Sequence, residues 1–242
     1  MSRVGLVVCG VLAGLAALLP APASGQDDSV LDAGRDLYLE GCSTCHGAEG
    51  GGTDLAPDLT RAGEAGAYYY LSTGRMPLAN HEEQPRRKER AYDDEQIDAL
   101  VAYVASLGDG PALPDVSVEE VDLAEGRELY RENCQPCHSA SGAGGALSYG
   151  RAAPQLGPAT PLQAGAAMRI GPGEMPVFGD DVLTDEEVAQ VAAYVEYLDD
   201  PADPGGLPIG RTGPVAEGFV AWFLGMVALL GIISWIGTRS RV

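Results

Sequence analysis

Cys42-Ser43-Thr44-Cys45-His46 and Cys134-Gln135-Pro136-Cys137-His138 are the two stretches on which the reading of this chain turns. Each is a Cys-x-x-Cys-His pattern, in which two thiols add across the vinyl groups of a haem and the adjacent imidazole reaches its iron. That spacing puts both sulfurs on one edge of the porphyrin with the imidazole under its centre. Three other uses of these residues compete. A zinc site would take the thiolates but would not require a His directly after both pairs. A thioredoxin-like redox pair wants a strand–helix context, which the flanking sequence lacks. Structural disulfides suit an oxidising compartment. Two motifs at matching places favour two covalently bound haem c groups. Cys42, Cys45, Cys134 and Cys137 are then the attachment residues, and His46 and His138 the proximal iron ligands.

Outward from the motifs, the flanks repeat. The first reads AGRDLYLEGCSTCHGAEGGG over 33–52, the second EGRELYRENCQPCHSASGAGG over 125–145. Each repeat later holds a Met-Pro pair, Met76-Pro77 and Met175-Pro176, and closes in a helical pattern, 93–107 and 184–198. Such duplication means two copies of one fold. In the closing segments, Asp93 with Gln96 and Thr184 with Glu187 are spaced as capping boxes. Ile97, Leu100, Val101 and Val104 share one helical face, as do Val188, Val191, Ala192 and Val195. The opening segments are also helical, with Leu37 and Tyr38 matched by Leu129 and Tyr130, and no convincing strand lies between.

Low-spin electron-transfer haem commonly takes Met as its second axial ligand. Met76 and Met175 are the candidates, placed alike in both repeats and each followed by a backbone-fixing Pro. Met168 reads as core filler, and Met226 belongs to the apolar tail. His81, the one histidine outside the motifs, reads as a solvated loop residue. Arg86, Arg87, Lys88 and Arg90 form a basic cluster, by default an exposed loop and more sharply a docking patch.

The ends are apolar. Arg3, the run Val4 to Leu19 and Ala21-Pro22-Ala23 follow the pattern of a cleaved signal peptide, with Cys9 discarded along with it; an uncleaved anchor is the alternative. From Gly218 to Gly237 no charge occurs over 20 residues, enough to cross a bilayer. Trp222 and Trp235 sit near its ends, and Arg239 and Arg241 place the carboxyl terminus in the cytoplasm. The net charge of −20 argues against nucleic acid as a partner. It serves solubility, or steers the protein toward basic partners.

The order of signal, two haem-binding repeats and terminal anchor resembles one family: the dihaem cytochrome c subunit (cytochrome cc) of the actinobacterial menaquinol–cytochrome c reductase, or bcc complex. The resemblance covers nearly the whole mature chain. STGRMP at 72–77, YDDEQIDALVAYV at 92–104, GGALS at 144–148 and PVAEGFVAWFLGMVALLGIISWIG at 214–237 carry it. It implies the same Cys and His residues, with Met76 and Met175 as axial ligands. It further implies that a Rieske iron–sulfur protein, beside a cytochrome b subunit, passes electrons from menaquinol oxidation to this dihaem subunit. The two haems then relay them to an aa3-type oxidase without a soluble cytochrome c. The loop around His81 and the basic cluster departs from the family pattern.

The expectation is therefore an all-α chain: two tandem class I-like cytochrome c domains plus a C-terminal transmembrane helix. Its parts are a signal at 1–25, a first domain at 26–108, a linker at 109–120, a second domain at 121–200, a linker at 201–214 and the membrane helix at 215–237. The haem domains lie outside the cytoplasm on a single-pass cell-membrane protein. The chain itself is an electron carrier, and an enzyme only as a subunit of a quinol–cytochrome c reductase (translocase). Competing readings are a stand-alone membrane-bound dihaem cytochrome, a dihaem oxidoreductase of small sulfur compounds or peroxide, and a disulfide-stapled binding module without haem.

Overall fold

The computed structural model describes residues 24–80, 84–119, 121–202 and 214–239. The apolar run of the expected signal, Cys9, His81 and Arg241 lie outside them. Helix α1 (Ser24–Gly41) reaches back into the segment read as a signal. It is followed by α2 (Ser43–His46), α3 (Gly63–Ser72) and α4 (Asp94–Ser106). The second half repeats the order with α5 (Leu123–Asn133), α6 (Gln135–His138), α7 (Pro161–Ile170) and α8 (Asp185–Asp199); the apolar tail is α9 (Pro214–Arg239). The described chain is predominantly helical, as the periodicity required.

In each half the opening and closing helices cross in contact, and a glycine makes the crossing possible. A Cβ on Gly34 would stand 2.0 Å from the Ala99 carbonyl oxygen, and one on Gly126 would stand 2.2 Å from that of Gln190. No side chain fits there, which accounts for a glycine at the same place before both motifs. The expected capping boxes form at Asp93/Gln96 and at Thr184/Glu187. A third, Thr160/Gln163, starts α7 with Pro161 in its first turn.

The first core gathers Tyr38, Ala67, Leu71, Ile97, Leu100, Val101 and Val104. The second gathers Tyr130, Met168, Phe178, Leu183, Val188, Val191, Ala192 and Val195. Both helical faces read from spacing are thus buried, and Met168 is core, at 2 % exposure. Tyr38 and Tyr130 fill equivalent places: each phenol donates across its own half, to Gly47 O and Ser139 O, both at 2.7 Å.

One feature differs from expectation, and a second adds detail to the linker. A two-residue antiparallel ladder pairs Gly145 with Ala153 and Ala146 with Ala152, here named β1 (Gly145–Ala146) and β2 (Ala152–Ala153). Strands this short carry no readable alternation, so nothing in the sequence marks them. The segment between the halves is also packed rather than loose. Pro111 O accepts from Ala65 N at 3.1 Å, Leu113 packs on the first core, and Val116 packs on the second.

A small third cluster joins the halves, with Ala65 and Tyr69 of α3 against Ala166 of α7. Helix α9 stands apart: the most apolar 18-residue stretch within Val215–Arg239 has a mean hydropathy of 2.3, and none of that stretch is buried. At 1.5 Å per residue its 26 residues span about 39 Å, more than a hydrocarbon core requires.

Candidate functional site

Each motif lies where a long helix gives way to a single turn. Cys42 follows α1, and α2 carries Cys45 and His46; Cys134 follows α5, and α6 carries Cys137 and His138. The turn is closed by equivalent bonds, His46 N to Cys42 O and His138 N to Cys134 O, both 2.9 Å. One helical turn therefore gathers two thiols and an imidazole in each half. None of the four cysteines is in a disulfide. Among the described residues no group of three or more His, Cys, Asp or Glu is placed to hold a metal ion by itself. Neither a zinc cluster nor a staple is formed there.

The first thiol of each pair is not poised as a redox nucleophile either. Burial, reinforced by Cys137, pushes Cys134 up to about 11, and burial with Cys45 raises Cys42. A reactive Cys-x-x-Cys pair needs the opposite, a lowered value.

The two histidines are buried to the same degree, each 8 % exposed. His46 Nδ1 meets Pro57 O at 2.8 Å, and His138 Nδ1 meets Pro154 O at 3.0 Å. A carbonyl can only accept, so Nδ1 carries the proton and Nε2 keeps its lone pair. That is the tautomer a metal-binding imidazole needs, held by a partner behind it. Burial also presses His138 below its ordinary value, with the Pro154 carbonyl acting against it, which favours the neutral ring.

The carbonyl acceptors were not read from the sequence. The signal was there: Ala56-Pro57-Asp58-Leu59 and Ala153-Pro154-Gln155-Leu156 share an Ala-Pro-x-Leu pattern. Both leucines are anchored alike, Leu59 N to Gly50 O at 2.7 Å and Leu156 N to Gly142 O at 2.8 Å. The loop from His to Pro is 11 residues in one half and 16 in the other, and the ladder β1–β2 takes up the difference.

Met76 and Cys42 both pack against the first core, and Met175 against the second, which also contains Cys134. Each candidate methionine thus shares its half with one motif. The Met76–Pro77 peptide is cis. The segment bearing Met175 is tied down by Arg169. This buried guanidinium donates to Phe178 O at 2.9 Å and Leu183 O at 2.7 Å, and pairs with Asp180 and Asp185.

In the first half the basic cluster does comparable work. Lys88 Nζ donates to Pro77 O at 2.6 Å, and Arg90 pairs with Asp94. Arg87 crosses to the other half, donating to Gln163 Oε1 at 2.6 Å. Part of the cluster therefore serves internal contacts, which neither the exposed-loop nor the docking-patch reading foresaw.

A donor set of two unbridged thiols and one pre-oriented imidazole, duplicated, fits covalently attached haem c. The comparisons agree. The family model described as cytochrome c matches residues 31–108, and that described as cytochrome c oxidase, cbb3-type, subunit III matches residues 121–195. The cytochrome bc1 complex cytochrome c subunit of Mycobacterium leprae is 41% identical over 248 residues, covering 98% of this chain and 86% of that protein. Its namesake from Corynebacterium diphtheriae is 37% identical over 257 residues, covering 98% and 92%. A thiosulfate dehydrogenase of Stutzerimonas stutzeri is 32% identical over 132 residues, only 47% of this chain and 43% of that protein.

Proposed function

Because the chain belongs to the family of cytochrome bc1 complex cytochrome c subunits, we propose that it relays single electrons from a Rieske iron–sulfur centre, through two c-type haems, to an aa3-type terminal oxidase. Its place as an electron-transfer subunit of a bc1-type complex follows from that membership. The observation that carries the reading is the doubled site, in which each His is held by a proline carbonyl beside two unbridged thiols.

Cys42 and Cys45 would hold one haem and Cys134 and Cys137 the other, with His46 and His138 as proximal ligands through Nε2. Met76 and Met175 would close the sixth positions. Haem ligated in this way supplies a one-electron iron couple whose potential the thioether raises. The chain's own part is to fix the imidazole tautomer, keep water from the two cores, and hold both halves at one separation. Helix α9 would anchor the chain, with the haem-bearing halves outside the cytoplasm and the segment 1–25 removed on export. The menaquinol-oxidising cytochrome b subunit would be its neighbour.

The test is a gentle solubilisation of native membranes and a pull-down through this chain, followed by intact mass and identification of partners. Two covalent haems together with cytochrome b, Rieske and oxidase subunits are the expected result. Two haems without those subunits would sink the relay, and a chain with no covalent haem would sink the whole reading. The sulfur-compound or peroxide enzyme requires one open iron position. Low-spin spectra for both irons, unchanged by added small ligands, would eliminate it.

A further inference from the structure

Arg75 is a charged side chain without an answer. It is 9 % exposed, its guanidinium lies 4.8 Å from the centroid of the Tyr69 ring, and its Nη1 is buried with no hydrogen-bond partner among the described residues. Leaving a buried charged donor unpaired is costly. Arg169, the buried arginine of the second half, shows the usual remedy: two backbone carbonyls and two carboxylates.

Nothing comparable reaches Arg75. Among the described residues no carboxylate pairs with it or with Arg87, although the chain holds 35 acidic residues against 15 basic ones. Arg87 makes matters worse, since desolvation and the neighbouring Arg75 charge both press it below its ordinary value. Among the described residues this positive spot is left without a paired carboxylate in an otherwise acidic protein. The group that would answer it is an anion, and a bound cofactor can supply one.

Arg75 immediately precedes Met76, which packs on the same core as Cys42. A haem held by the first motif brings two propionate carboxylates into this half. We propose that Arg75 is a haem-binding residue: its Nη1 donates to a propionate of the haem in the first half, and its charge raises the reduction potential of that haem alone. The inference rests on the haem-binding reading above. A fixed cation near the iron favours the reduced form, which carries one positive charge fewer. In the second half the residue before the methionine is Glu174, an anion paired with Arg151, so the position is not a buried cation as in the first half.

The test uses the full chain, purified in detergent with its haems and without partner subunits, as wild type, Arg75→Gln and Arg75→Lys. Spectroelectrochemical titration gives both potentials, and resonance Raman of the propionate bending band reports the hydrogen bond. Arg75→Gln is expected to lower the reduced-to-oxidised ratio of one haem about tenfold at a fixed potential, equal to about 59 mV for one electron. The other haem stays unchanged. Arg75→Lys retains part of the shift but moves the propionate band.

Attached haems with wild-type potentials and an unmoved band would overturn the proposal. So would a shift seen only in the assembled complex, which would assign the carboxylate to a neighbouring subunit. If Arg75→Gln fails to load haem, an unmoved band in Arg75→Lys overturns it. A wild-type chain without covalent haem would overturn the haem reading first.

Discussion

Tyr38 is the residue on which the first half closes. It is fully buried, and its phenol donates to Gly47 O immediately after the motif. Burial, with Cys42 and Tyr103 adding to it, lifts the phenol from 10.0 to about 12. The folded value lies above the unfolded one, so this contribution is fully present below pH 10 and is lost as pH rises toward 12. Tyr38→Phe is expected to cost about 1 kcal/mol at neutral pH, the usual worth of one internal hydrogen bond. It should also flatten the alkaline limb of stability between pH 10 and 12, read by urea unfolding at a series of pH values; an unchanged limb would remove Tyr38 as its cause. Much at this scale was legible. The pairing of Tyr38 with Tyr130 and of Gly34 with Gly126 is visible as repeated letters. What each does is not, because a glycine against a carbonyl and a phenol on a loop oxygen are contacts across the fold.

At the scale of elements, the closing helices follow their periodicity and their caps. Thr184 Oγ1 accepts from Glu187 N at 3.3 Å, while Glu187 Oε2 accepts from Thr184 N at 2.8 Å and from its hydroxyl at 2.9 Å. These donors hold the Glu187 carboxyl below its ordinary 4.5. Its folded value is depressed, so the charge-assisted part of the cap is present above pH 4.5 and fades as pH falls through the lowered value. Thr184→Ala is expected to cost about 1 kcal/mol at neutral pH and less in acid, measured by urea unfolding of the haem-loaded chain. A loss that did not shrink in acid would exclude Glu187 from the effect. Capping was readable because it is local, three residues end to end. The Thr160/Gln163 box has the same local spacing and was equally legible; what no local pattern shows is the second task of Gln163, whose Nε2 donates to Ser72 O at 3.2 Å, 91 residues away.

At the scale of the whole molecule, the two halves meet through α3 and α7. Ala166 is fully buried against Ala65 and Tyr69, with Arg87 and Gln163 bonded beside them. Small residues let these helices approach closely, so Ala166→Leu is expected to wedge them apart at a cost of about 1–3 kcal/mol. Calorimetry should then show two separated transitions in place of one, with haem spectra unaltered; a single unshifted transition would mean the halves are not coupled here. The duplicated thiol–thiol–imidazole motif, the buried faces of the helices and the apolar terminal helix are all legible in the order of residues alone. All of these are written in spacings of a few residues, where backbone geometry leaves little choice. The rest emerges only on folding: which carbonyl orients each imidazole, how one half seats on the other, and that Arg75 is buried with no carboxylate pairing it among the described residues. Those depend on groups brought together from distant parts of the chain, and their energies exist only once both cores have closed.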